Sequence, residues 1–149
     1  MAEAQPTYSA EILAAMDRFC EESVVHCLAT MTEEHKAKGE RDMAAMQADP
    51  SIMQREMVTV GEEFASCDAN QDGVLDRDEY IAFINKMQAR KAAAGDWTDD
   101  REGVVPQIYD EVCNKINPDR EGISKEEWDG MVGTWFGKWM PIFEAKKAE

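Results

Sequence analysis

Twelve residues, Asp68-Ala69-Asn70-Gln71-Asp72-Gly73-Val74-Leu75-Asp76-Arg77-Asp78-Glu79, constrain this chain more than any other stretch. Oxygen-bearing side chains alternate at Asp68, Asn70 and Asp72, so a winding backbone can turn all three toward one point. Gly73 follows where such a loop must turn sharply, at a backbone angle that disfavours a Cβ. Val74 then offers its backbone carbonyl, for which an apolar side chain is no handicap. Asp76 contributes directly or through a water, and Glu79 closes the set with both carboxylate oxygens. Four carboxylates gathered this closely (Asp68, Asp72, Asp76, Glu79) repel one another until a cation relieves them. An all-oxygen set closed by a bidentate Glu suits Ca²⁺ better than the smaller, stricter Mg²⁺. The expected metal ligands are Asp68, Asn70, Asp72, Val74, Asp76 and Glu79.

Helical periodicity flanks this loop on both sides. Asp49-Pro50 reads as an N-cap followed by proline at the first helical position. The helix it opens carries Met53, Met57, Val60, Phe64 and Cys67 on one face and leads into the loop. Beyond Glu79, Tyr80, Phe83, Ile84 and Met87 recur at i, i+3, i+4 and i+7, marking an exiting helix. Ala92 to Val105, with Trp97, an acidic cluster and Gly103, reads as a linker. Thr98 can cap a first turn there, but Pro106 sets the expected start of the next helix. Ile108, Tyr109, Val112 and Ile116 form a second entering helix. Trp128, Met131, Val132 and Trp135 form a second exiting one, which Phe136, Trp139 and Met140 extend as far as Pro141. The helix–loop–helix pattern therefore repeats, over 50–90 and again over 105–140.

The second loop is a shortened version of the first. Asn117-Pro118-Asp119-Arg120-Glu121-Gly122 resembles its first half and Ile123 to Glu127 its second, but Ile123 follows Gly122 with no residue between them. The loop is thus one residue short, and Asn117 replaces the leading Asp, which removes a charge. If it held a metal, its ligands would be Asn117, Asp119, Glu121 and Glu127, around a rearranged backbone. Ligand count and charge set affinity in such loops. The favoured role is therefore structural: Ile123 pairs with Leu75 across a short two-stranded bridge that holds the loops back to back.

On these residues the chain resembles the EF-hand superfamily over about residues 50 to 140, with Phe64 and Tyr80 as the flanks of the complete loop. The tail Gly133-Thr134-Trp135-Phe136-Gly137-Lys138-Trp139 also makes it similar to the C-terminal half of sarcoplasmic calcium-binding proteins and coelenterazine photoproteins. Those families have four hands where two are visible here, and nothing in the chain specifies a luciferin pocket. The resemblance implies an all-α fold: an EF-hand pair over 49–149, with a short two-stranded bridge between its loops and an additional helical segment over 1–48. That segment carries Ile12, Met16, Cys20, Val24, Cys27, Leu28 and Met31 at helical spacing, with Ser9 as N-cap. Such a stripe covers the protein's own core or seats a partner, a second copy included; the first is favoured. Thr32 to Asp42 follows as a polar segment without a calcium loop.

Charge and composition narrow the function classes. The net charge of −15 disfavours nucleic acid and anionic membranes as partners and favours metal cations and basic protein segments. No apolar run reaches membrane-spanning length, and Met1-Ala2-Glu3-Ala4 has neither the basic region of a secretory signal nor a glycine for myristoylation. Four cysteines (Cys20, Cys27, Cys67, Cys113) lack C-x-x-C spacing, so they are expected reduced and mostly buried, in a soluble cytoplasmic protein. His26 and His35, the two histidines, belong to no nucleophile or zinc pattern, and no phosphate loop is present, so catalysis is not expected.

Two readings of the calcium follow. Ten methionines suit a sensor that opens an apolar groove for a protein target, a basic amphipathic helix by charge. Alternatively the chain is a structural subunit of a larger assembly with calcium as a staple, or a buffer. Under either reading, calcium titration of Glu79→Gln and Glu127→Gln should show a far larger loss of affinity for the first, because Glu79 alone closes a complete loop.

Overall fold

A computed structural model describes residues 8–101 and 103–148; the first residues of the 1–48 segment lie outside these. Six helices and one two-stranded sheet make up the described chain: α1 (Ala10–Thr30), α2 (Glu33–Ala48), α3 (Ser51–Cys67), β1 (Val74–Leu75), α4 (Arg77–Ala93), α5 (Val104–Glu111), β2 (Ile123–Ser124) and α6 (Lys125–Lys147). A single 3₁₀ turn over Cys113–Lys115 continues α5. The all-α expectation holds.

α1 begins where Ser9 Oγ accepts the Ile12 amide at 3.2 Å. Its buried side includes Ile12, Met16, Cys20, Val24 and Cys27, together with Phe19. This face lies along α6, where the Phe19 and Trp135 rings stack at 6.4 Å and Trp139 Nε1 donates to Ser23 Oγ at 3.1 Å. Lys138 pairs with Asp17 at 2.7 Å on the rim of the same seam. These contacts also explain why α6 does not stop at Pro141. A proline removes one hydrogen bond inside a helix. The Trp139–Phe143 stack at 5.0 Å and the Lys146–Glu21 pair at 3.8 Å bracket that position and hold the helix on course to Lys147.

The polar stretch from Thr32 is also helical. Thr32 and His35 cap each other reciprocally at the start of α2, with Thr32 N donating to His35 Nδ1 and His35 N to Thr32 Oγ1, both at 3.1 Å. No residue of α2 is fully buried, and the half-buried His35, Lys38, Asp42 and Met46 form a mostly polar contact stripe. Asp49 closes α2 and accepts from the Ser51 amide at 3.1 Å, but Pro50 rather than Asp49 stands at the N-cap of α3, one residue later than expected and without a side-chain cap. Of the face expected on α3, Val60 and Phe64 are buried, whereas Met53 and Met57 stand outside the core at 47% and 57% exposure. α5 opens at Val104, behind a left-handed Gly103, and takes Pro106 into its first turn, where a missing N–H is harmless.

β1 and β2 join the two helix–loop–helix units. They run antiparallel in the register Val74↔Ser124 and Leu75↔Ile123, the pairing expected from sequence, and both apolar partners are fully buried. Beneath them Phe83 fills the centre, with Phe64 edge-on at 5.4 Å and Trp128 edge-on at 5.1 Å. Met16 and Phe19 of α1 belong to the same core. All four cysteines are free, and burial pushes the Cys20 and Cys113 thiols up to about 12 and Cys27 to about 11, so these three stay protonated near neutrality. No described helix is long and apolar enough to cross a membrane.

The core assignment makes a contrast between two large apolar residues. Phe83→Ala should destabilise by about 3–5 kcal/mol in urea unfolding, the usual range for emptying a buried aromatic site. Met57→Ala should stay within roughly 0.5 kcal/mol of the parent.

Candidate metal centre

The Asp68–Glu79 loop leaves the last turn of α3 and ends in the first turn of α4. Its two tight turns fall at Gln71 (φ 55°) and Gly73 (φ 80°), both left-handed. Glycine accepts that region freely, whereas Gln71 holds it against a cost on the order of 1 kcal/mol or more. Asp68 is 8% exposed, and its carboxylate is turned across the loop, with Oδ2 accepting from Gly73 N at 2.8 Å. Asp68 Oδ1 is buried and has no hydrogen-bond partner, the sole such side-chain atom among the described residues. A buried acceptor left unsatisfied is costly, and in native proteins it usually has a reason.

The remaining ligand positions sit on an ordered scaffold. Asp72 Oδ1 accepts from Val74 N at 3.0 Å. Asp76 caps α4 through the Glu79 amide at 2.9 Å, and Glu79 Oε1 reciprocates on the Asp76 amide at 3.0 Å. Glu79 Oε2 reaches back to Ala69 N at 2.8 Å, so one carboxylate ties the exit of the loop to its entrance. Asn70, Asp72 and Asp76 are exposed, and Val74 is half-buried. As the side chains lie, no three His, Cys, Asp or Glu among the described residues stand together as a metal cluster. Both oxygens of Glu79 are held by backbone amides, and two of the expected donors, Asn70 and the Val74 carbonyl, are not acids. The residues nevertheless fit a hard cation: every donor is oxygen, and the one orphaned buried acceptor stands at the first ligand position.

The second loop is built differently. Arg120 Nη2 lies 2.6 Å from Glu127 Oε1, and its Nη1 donates to the Gly122 carbonyl at 3.0 Å. The same Glu127 oxygen accepts from Ser124 N at 3.0 Å. Burial alone would raise the Glu127 carboxyl, but the Ser124 amide and Arg120 outweigh it and hold the group below its usual range. Asn117 Oδ1 accepts from Asp119 N at 3.0 Å, and Asp119 and Glu121 are exposed. Of the four candidate ligands, then, Asn117 and Glu127 are engaged within the protein, and the other two face solvent. Arg120 was the signal in the sequence, a cation set between two acids inside the loop.

One further element bears on how the first unit can move. Arg90 of α4 forks onto Glu63, at 2.9 Å from both Nε and Nη2, and onto Glu56 at 3.0 and 3.1 Å, all on α3. Glu63 is buried at 7% exposure. These carboxylates raise the Arg90 guanidinium further above its usual range, and Arg90 in turn lowers Glu56. Sequence reading missed the group because Glu63 sits on the buried face of α3 among apolar residues.

The two loops meet at Gly122 (φ 92°), where a Cβ would stand 2.5 Å from Val74 Cγ1 and 2.6 Å from the Leu75 carbonyl oxygen. Gly122→Ala should therefore cost about 2 kcal/mol or more in thermal unfolding, through backbone strain and overpacking together. Because the clash falls on Val74 and Leu75 of the first loop, the variant should also weaken any calcium binding there. Compared with known proteins, the chain matches no family model, no curated protein and no solved structure.

Proposed function

We propose that this chain binds one calcium ion through Asp68, Asn70, Asp72, Val74, Asp76 and Glu79 in an EF-hand pair, as a non-catalytic regulatory module that engages a protein target. Asp68 Oδ1 carries the reading: a buried carboxylate oxygen without a partner, at the first position of an oxygen-only loop. When bound, calcium supplies the positive charge that offsets the loop's carboxylates. The chain supplies the rest. Gln71 and Gly73 set the turns, Gly73 N steadies Asp68, and the caps at the start of α4 hold Asp76 and Glu79 in register.

The regulatory part is supported by soft apolar side chains on the outside of the molecule. Met43, Met53, Met57 and Val58 are all about half exposed or more, on α2 and the first half of α3. Flexible methionines suit a surface that must accept a partner helix, and the net charge of −15 favours a basic one. Four free cysteines accord with a reducing cytoplasmic setting. A second reading has its own support. The Arg90 fork ties α4 to α3 at Glu56 and Glu63, which resists opening and favours calcium as a structural staple or a buffered ion.

Calorimetric titration with calcium, repeated under excess magnesium, tests the site. One site that survives magnesium is expected; the absence of any site refutes the reading. Asp68→Asn should weaken binding by roughly tenfold or more, about 1.4 kcal/mol, while leaving the metal-free protein close to the parent in stability, since the amide oxygen of Asn can still accept from Gly73 N. An apolar dye added alongside separates the roles. Binding that rises with calcium supports the regulatory module, and binding that falls supports the staple.

A further inference from the structure

The second loop closes on a cation of its own. In the first loop, Glu79 stands three residues after its cap Asp76 and holds two backbone amides. In the second, Glu127 stands three residues after its cap Ser124, but one of its partners is the Arg120 guanidinium. The second nitrogen of that guanidinium reaches the carbonyl of Gly122, so Arg120 bridges a carboxylate and a backbone carbonyl of one loop. Those are the two kinds of oxygen by which such a loop holds an ion in its second half.

We propose that Arg120 takes the place of a metal ion in the second loop: it neutralises Glu127, fastens Gly122 next to β2, and keeps the bridge to β1 formed without calcium. Three further observations agree. The loop is eleven residues long and, with Ile123 paired to Leu75, lacks a counterpart of Val74, the residue expected to offer its backbone carbonyl in the first loop. Gly122 N donates to Asn114 Oδ1 at 2.8 Å, which fixes the same turn from the other side. Asn117, at the leading position, spends its side-chain oxygen on the Asp119 amide. The metal stoichiometry of one rests on the reading of the first loop; the metal-free closure of the second does not.

Amide hydrogen exchange at Ile123 and Ser124, followed by NMR in chelator, tests the closure independently of any calcium. Arg120→Ala and Glu127→Gln should each speed exchange there by roughly tenfold, and the double variant should be no faster than either alone, as expected for two groups of one pair. Arg120→Lys, which keeps the charge and loses the fork, should fall between and serves if the alanine variant does not fold. Unchanged exchange in Arg120→Ala, or additive effects in the double variant, overturns the proposal. Native mass spectrometry of Glu79→Gln in millimolar calcium gives the second arm. No bound ion is expected, and one specifically bound ion overturns the claim that Arg120 fills the loop. If the wild-type chain binds no calcium at all, the first-loop reading fails while the exchange experiment still decides Arg120.

Discussion

Leu75 and Ile123 face each other across two antiparallel strands of two residues each, and both are fully buried. This small contact fixes the geometry of both loops at once. With that register set, Ser124 caps α6 as Asp76 caps α4, and Glu127 falls where Glu79 falls. The second halves of the loops are therefore alike, and the missing residue is absorbed just ahead of β2, at Gly122. Only a residue without a Cβ passes there, against Val74 and the Leu75 carbonyl. Phe83, between Phe64 and Trp128, carries the same alignment down into the helices.

The two loops answer one electrostatic problem in two ways. Each gathers carboxylates at the start of a helix, where the exposed amides favour negative charge but cannot cancel it all. The second loop answers from within, by the Arg120–Glu127 pair. The first leaves Asp68 Oδ1 unanswered. That difference, an orphaned carboxylate oxygen in one loop and an internal ion pair in the other, separates the two loops more than their ligand count does.

Much of this architecture could be read from the chain because it rests on short-range rules. Alternating oxygens and a glycine announce a turn; apolar residues three and four apart announce the flanking helices; the spacing of Leu75 and Ile123 from their loops predicts their pairing. What escaped reading depends on contacts distant in sequence. α2 gave no apolar period because its contact face is polar. Met53 and Met57 continue the stripe of Val60 and Phe64, yet α3 outruns the core on that side and leaves them outside. α6 passes Pro141 because α1 supports it, a partner more than a hundred residues away. Arg90 binds acids on another helix, and nothing in its immediate sequence names those partners.

α2 has a consequence for how the molecule comes apart. Its contacts are a half-buried polar stripe and a tether from Lys38 to Asp96 at 2.8 Å, and it buries no residue fully. Removing it from the surface exposes little apolar area, so local opening there lies near the low end of the free-energy scale, far below that of the core. α1 and α3 on either side are anchored by Phe19 and Phe64 and need not follow. The molecule thus carries a detachable strut between two fixed pillars, where limited proteolysis would nick the chain while both loops stayed folded.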